Sequence, residues 1–217
     1  VVVLSEDLRA NVLAKIAPKH QHTVHVIPNF VDSDRIMPRD RMTSYRDELR
    51  IGAEPVVMYA GNVGYSQSLT MMLHAARHMP EVTFVINGDG AARAELERDA
   101  VGLSNVRFSG YQPADRVSEV LATADVHVVP LRAGLGAVSV PSKTYSILAA
   151  GRPVVAAIDA GTEVTRILAE SGAGVSVAPD DPVAFTDALR AMVNSGSEAT
   201  EAGARGRVWV ESHVSPA

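Results

Sequence analysis

VRFSGYQPADRVSEVLATADVHVVPL, residues 106–131, contains a strand, a glycine turn, a helix and a second strand in one short stretch. VRFSGY (Val106 to Tyr111) and VHVVPL (Val126 to Leu131) are β-branched runs bounded by turn residues, and Val117, Val120 and Leu121 between them have helical spacing. The pattern repeats outward in both directions. Upstream lie VVMYAG (Val56 to Gly61) and VTFVING (Val82 to Gly88), and downstream PVVAAI (Pro153 to Ile158) and GVSVAP (Gly174 to Pro179). Helical spacing recurs at Leu69, Leu73 and Ala76 and at Phe185, Leu189 and Met192. Strands that are apolar on both faces and alternate with helices must be covered on both sides. The reading is therefore an α/β fold with a doubly wound, Rossmann-like, six-stranded parallel sheet. Such sheets bind ligands at the carboxyl ends of their strands.

The flanks read differently. Before Val56 there is a strand stub, a helix through about Ala17, a second strand over Thr23 to Ile27, and then PNFVDSDRIMPRD, which reads as a connection between domains. The opening VVVL begins without Met and lacks the features of a signal peptide, so Val1 reads as a cut point. At the other end a Ser-, Gly- and Ala-rich piece (Ser195 to Ala204) precedes RVWVESHV (Arg207 to Val214), which suggests a final helix. The expected division is residues 1–30 as the end of a preceding domain plus connector, 31–195 as the α/β domain, and 196–217 as a carboxyl-terminal helical segment.

Composition narrows the partners. With 20 basic and 25 acidic side chains the net charge is -5, so no global field draws the chain to nucleic acid or an anionic membrane. The absence of cysteine rules out disulfides and thiolate metal sites, and is compatible with a reducing cytoplasm. No apolar run is long enough to span a bilayer.

Three segments could carry chemistry. In AGNVGYSQSL (Ala60 to Leu69) a strand ends in a glycine turn, with a helix expected to begin near Ser66; Gly61 and Gly64 suit either a phosphate-side loop or a plain strand-to-helix turn. GDGAAR (Gly88 to Arg93) places Arg93 where a dinucleotide fingerprint needs its third glycine, which disfavours NAD. In VPSKTYSILAAGRPVV (Val140 to Val155), Pro141, Ser142 and Lys143 fall at a helix start beside the sheet edge, with Ser142 as a possible cap. Lys143 is the only lysine after Lys19 in a chain that otherwise uses arginine, and is either an anion contact or a solvated surface group. Glu163, with Thr162 helping to cap, either faces the same cleft or steadies a helix start. His20, His22 and His25 lack an acidic or cysteine partner and read as a decoy metal cluster, so no metal is expected. Asp32, Ser33 and Asp34 read as a chain turn. Phe108 and Tyr111 read as a core and a rim aromatic, with base stacking as the alternative.

The order of these motifs resembles the carboxyl-terminal domain of family 4 retaining glycosyltransferases, one half of a GT-B architecture, over nearly the whole chain. VIPNFVD (Val26 to Asp32) is similar to the interdomain connector, YAGNVGYSQSL to the first strand and phosphate-side turn, and residues 106–131 to the base-binding stretch. LAAGRPVVA (Leu148 to Ala156), GTEV and Trp209 complete the series. On this resemblance VLSEDLRANVLAK (Val3 to Lys15) ends the amino-terminal domain.

The resemblance implies donor contacts at Gly61, Asn62, Gly64 and Gln67 in the first turn, and at Gly88 and Tyr111. It adds Val138, Ser139, Pro141, Ser142, Lys143 and Ser146 around the second helix start, and Glu163. Asn62 and Gln67 stand where the family usually has Arg and Lys; Val138 and Ser146 replace two glutamates. GNVGYSQSL with VPSKTYSILAAGRPVV resembles a subgroup acting in bacterial capsule, exopolysaccharide and O-antigen assembly, with Lys143 taking over diphosphate neutralisation.

The resemblance further implies transfer from a nucleotide-diphosphate sugar, often UDP, with retention and no required metal or cofactor. The acceptor would be a glycan or lipid-linked sugar, bound mainly by the amino-terminal domain, at the cytoplasmic membrane face or in the cytoplasm. This chain alone is expected to be inactive. The alternatives are a GT-B-type sugar-nucleotide epimerase, which would need carboxylates for acid/base work, and a non-catalytic nucleotide-sugar-binding subunit.

Overall fold

The structure, a computed structural model, describes residues 1–215. In chain order the strands are β1 (Val2–Val3), β2 (His25–Val26), β3 (Val56–Ala60), β4 (Thr83–Asn87), β5 (Val106–Ser109), β6 (Val126–Pro130), β7 (Val154–Ala157) and β8 (Gly174–Val177). The α-helices are α1 (Glu6–Leu13), α2 (Ser44–Glu48), α3 (Thr70–His78), α4 (Arg93–Asp99), α5 (Val117–Ala122), α6 (Lys143–Ala149), α7 (Glu163–Ser171), α8 (Pro182–Asn194) and α9 (Ser197–His213). Among the described residues six strands make one parallel sheet in the order β5-β4-β3-β6-β7-β8. The six runs read from the sequence are these strands.

Burial explains why they lack polar alternation. On β3, Val57 and Tyr59 face the cluster built from Met71, Met72 and Leu73 of α3 and Phe185 and Leu189 of α8. Val56 and Met58 face Tyr45, Ile51 and Val120 on the other side. On β7, Val155 and Ala157 join the α3/α8 side, whereas Val154 and Ala156 pack with Ile147 and Leu148 of α6, Ile167 and Leu168 of α7, and Val210 of α9. Because the connections turn to opposite sides at β3 and β6, their carboxyl ends border a crevice.

Two helix boundaries differ from the sequence reading. α3 begins at Thr70 rather than near Ser66, because residues 62–69 form a turn in which the Gly64 amide donates to Gln67 Oε1 at 3.1 Å. α9 starts at Ser197 and runs straight through the Ser/Gly/Ala-rich stretch. The small residues serve close packing: a Cβ on Gly203 would lie 2.1 Å from the Gly151 carbonyl oxygen. Before the sheet, β1 and β2 form a separate parallel pair. Asp32 turns the connector by accepting from the amides of Asp34 (3.1 Å) and Arg35 (2.9 Å). His20, His22 and His25 are exposed, and no group of three or more His, Cys, Asp or Glu that could hold a metal occurs among the described residues.

The amino edge of the sheet is closed by charge. Arg46, fully buried, donates to the carbonyls of Gly52 (2.7 Å), Glu54 (2.5 Å) and Thr123 (3.0 Å). Asp125 accepts from Arg41 at 2.9 Å and from the Val56 amide at 2.8 Å. Removing the guanidinium strands buried carbonyls, so Arg46→Ala should lower stability by about 3 kcal/mol in urea unfolding.

His127, on β6, is also fully buried, with Nε2 2.8 Å from the Leu121 carbonyl oxygen. Burial holds its pKa down to about 4, from an ordinary 6.5. The unfolded chain therefore binds a proton that the folded chain refuses, and stability falls as pH drops from about 6.5 to about 4. The urea midpoint should decline through this window in the native sequence, and His127→Leu should flatten that limb.

Candidate functional site

The crevice is built from two strand exits and one long loop. β3 ends at Ala60, and Gly61 follows with φ 145° and its amide 2.9 Å from the Asn87 carbonyl oxygen. Gly88, at the exit of β4, has φ 151°, and a Cβ there would lie 1.8 Å from the Gly61 carbonyl oxygen. Only glycine lets these two exits touch backbone to backbone. The loop from Leu131 to Ser142 leaves β6 and returns to α6, with the Arg132 amide donating to the Ser66 carbonyl at 2.9 Å.

Between the exit of β3 and this loop lies a cleft of about 600 Å³. Ala60, Gly61, Asn62 and Gln67 line it on one side; Pro130, Leu131 and the segment Ser139 to Lys143 line it on the other, with Ser146 and Phe30. Its charged group is Lys143. The ammonium lies 3.7 Å from the ring centroid of Tyr59, and a Cβ on Gly61 would come within 2.9 Å of Nζ. No carboxylate lines the cleft. The Lys143 amine makes no hydrogen bond or ion pair with the other described residues, and burial pulls its pKa down from 10.5 to about 7. The site can offer an anion one ammonium, two amide side chains, three hydroxyls and backbone N–H groups.

The structure brings Gly61, Asn62, Gln67, Ser139, Pro141, Ser142, Lys143 and Ser146 together on this cleft. Gly64 lies in the adjoining turn, and Gly88 supports Gly61 from the neighbouring strand. Tyr111 is exposed on the rim, where its hydroxyl donates to the Asp89 carbonyl at 3.1 Å. Val138 is exposed on the loop and is not among the cleft's lining residues.

Glu163 is not among the residues lining the cleft; it opens α7, where its carboxylate pairs with Arg166 at 2.9 Å, and Arg166 also grips Asp7 of α1 at 2.6 Å. The capping expectations fail. Ser142 is already helical in φ/ψ and its side chain caps nothing, while the Thr162 hydroxyl donates to the Asp159 carbonyl at 2.7 Å. Sequence reasoning missed Phe30, hidden in the connector, and Tyr59, which reads simply as a strand residue.

Known proteins share this architecture. The chain is 29% identical over 190 residues to the probable glycosyltransferase WbjE of Pseudomonas aeruginosa, covering 85% of this chain and 47% of that protein. It is 31% identical over 140 residues to the putative colanic acid biosynthesis glycosyl transferase WcaI of Escherichia coli K12, covering 62% of this chain and 34% of that one. The chain thus spans about half or less of the length of these relatives. In solved structures the same fold occurs in Anabaena HepE in complex with UDP-glucose, with a TM-score of 0.86 at 16% identity, over 99% of this chain and 59% of that one. WaaG, involved in lipopolysaccharide biosynthesis, matches with a TM-score of 0.78 at 18% identity, over 98% of this chain and 58% of that one. Both are GT-B glycosyltransferases in fold. The model of the family described as glycosyl transferases group 1 matches residues 54–195, and the chain belongs to that family.

Proposed function

We propose that the cleft binds the diphosphate of a nucleotide-sugar donor, a UDP-sugar, and that the intact protein transfers the sugar with retention to a glycan or lipid-linked acceptor in bacterial surface-polysaccharide synthesis. The observation that carries this reading is Lys143: an ammonium without an ionic partner, in a cleft without carboxylates, beside the first turn of α6. The amides of Thr144 and Tyr145 are taken by the carbonyls of Pro141 (3.1 Å) and Ser142 (3.2 Å), so an anion would meet the amides of Ser142 and Lys143 first. The name of WcaI supports the pathway class, and the UDP-glucose complex of HepE supports the donor class.

In this reading, bond cleavage at the anomeric carbon leaves negative charge on the departing nucleoside diphosphate. Lys143 and the surrounding amides stabilise that charge in a low-dielectric cleft, where such contacts are strongest. The cleft lacks the carboxylates that would hold a divalent cation, which favours a metal-independent reaction. It also lacks the acid/base pair an epimerase needs, which ranks that reading second. The acceptor and any general base would come from the half of the relatives' length outside this chain, so the chain by itself is expected not to turn over.

Two measurements test the reading. In calorimetric titration the chain should bind UDP saturably and GDP more weakly, and Lys143→Ala should weaken UDP by about tenfold to a hundredfold, the cost of losing a charge-assisted contact; equal binding by the variant removes Lys143 from the site. An anion bound beside Lys143 should raise its lowered pKa, so UDP binding near pH 8 should take up about one proton and uptake should shrink below about pH 6. Titrations in buffers of different ionisation enthalpy read this directly, and Lys143→Arg should abolish the uptake.

A further inference from the structure

The long loop that carries Ser139 to Lys143 into the cleft has few apolar anchors: residues Arg132, Ala133, Gly134 and Ala137 to Ser139 are all exposed. Two carboxylates hold it from behind. Asp159, which follows β7, accepts the Gly134 amide on Oδ1 at 3.0 Å and the Gly136 amide on Oδ2 at 2.8 Å. Asp180, beyond the end of β8, accepts the Ala133 amide at 3.0 Å and the hydroxyl of Ser68, which belongs to the loop preceding α3. Neither aspartate lines the cleft.

The contacts leave little freedom. Gly134 sits at φ 82°, which side-chain-bearing residues rarely adopt. A Cβ on Gly136 would lie 3.0 Å from Asp159 Oδ2 and 2.9 Å from Thr162 Cγ2, so a larger residue would have to push the anchor's side chains aside. Thr162 in turn donates to the Asp159 carbonyl at 2.7 Å, fixing the backbone from which the carboxylate springs. With a carboxylate accepting two neighbouring amides, the near half of the loop is pinned to β7. Its far half runs on to α6 and carries Ser139, Ser142 and Lys143 on the cleft wall.

We propose that Asp159, seconded by Asp180, is a positioning residue for the donor diphosphate: it touches no substrate, but fixes the loop that presents Ser139, Ser142 and Lys143. The inference rests on the donor-binding reading of the cleft. It also assigns the two carboxylates that bond to this loop to backbone amides behind the wall.

The test compares UDP with uridine, which shares the base and ribose but lacks the diphosphate. Asp159→Ala should weaken UDP by about tenfold while changing uridine, measured by competition, by less than about twofold. Asp159→Asn, which keeps one acceptor oxygen, should fall between Ala and the native residue. Gly136→Ala, whose methyl group would press on the Asp159 carboxylate and push the loop off it while leaving the charge in place, should reproduce the Asp159→Ala pattern. Hydrogen exchange of the amides in residues 133–142 should quicken in both Asp159→Ala and Gly136→Ala, with thermal unfolding preserved. A folded Asp159→Ala protein that binds UDP as the native chain does, or that loses UDP and uridine equally, overturns the proposal. Failure of the native chain to bind UDP overturns the donor reading and the proposal with it.

Discussion

A parallel sheet must be covered on both faces, and the whole molecule follows from that constraint. Parallel strands cannot be joined by hairpins, so each connection crosses over a face and brings its own helix. The runs of β3, β4, β6 and β7 are buried almost throughout because both faces have partners, α3 and α8 on one side and α6, α7 and α9 on the other. The same crossovers gather the loops that leave the strands at one edge. The cleft lies there, between the exit of β3 and the loop after β6.

The two edges of the sheet are treated oppositely. At the amino edge Arg46 is enclosed by carbonyl oxygens, and Arg41 and Asp125 pair beside it. These groups satisfy one another and hold the sheet to the segment before β3. At the carboxyl edge the Lys143 amine has no ionic partner among the described residues. Burial disfavours the charged form of Lys143, and the face of the Tyr59 ring lies against it. Stabilising groups are normally matched, which is why the unpaired lysine in this cleft is the feature on which the proposed donor reading rests.

Carboxylates near the cleft are arranged to the same end. Asp159 and Asp180 spend their negative charge on loop amides, and Glu163 spends its own on Arg166. The link from Glu163 through Arg166 to Asp7 joins the start of α7 to α1, so a residue that reads as a cleft contact ties the sheet domain to the helix preceding the connector.

The sequence by itself determined the strands, their alternation with helices and the sheet class, because those depend on local periodicity and on how much apolar surface each segment must bury. It also marked the segments bordering the cleft, since Gly61 and Gly88 stand where backbones must touch and Lys143 is isolated in an arginine-using chain. Tertiary structure alone decided which side chains reach the cleft. Phe30 arrives from a connector many residues before β3, Glu163 turns away because Arg166 and Asp7 are within reach, and α9 is continuous because Gly203 can pack on Gly151. These outcomes depend on partners distant in the chain, and no local pattern encodes the distance between a carboxylate and the amides that will hold it.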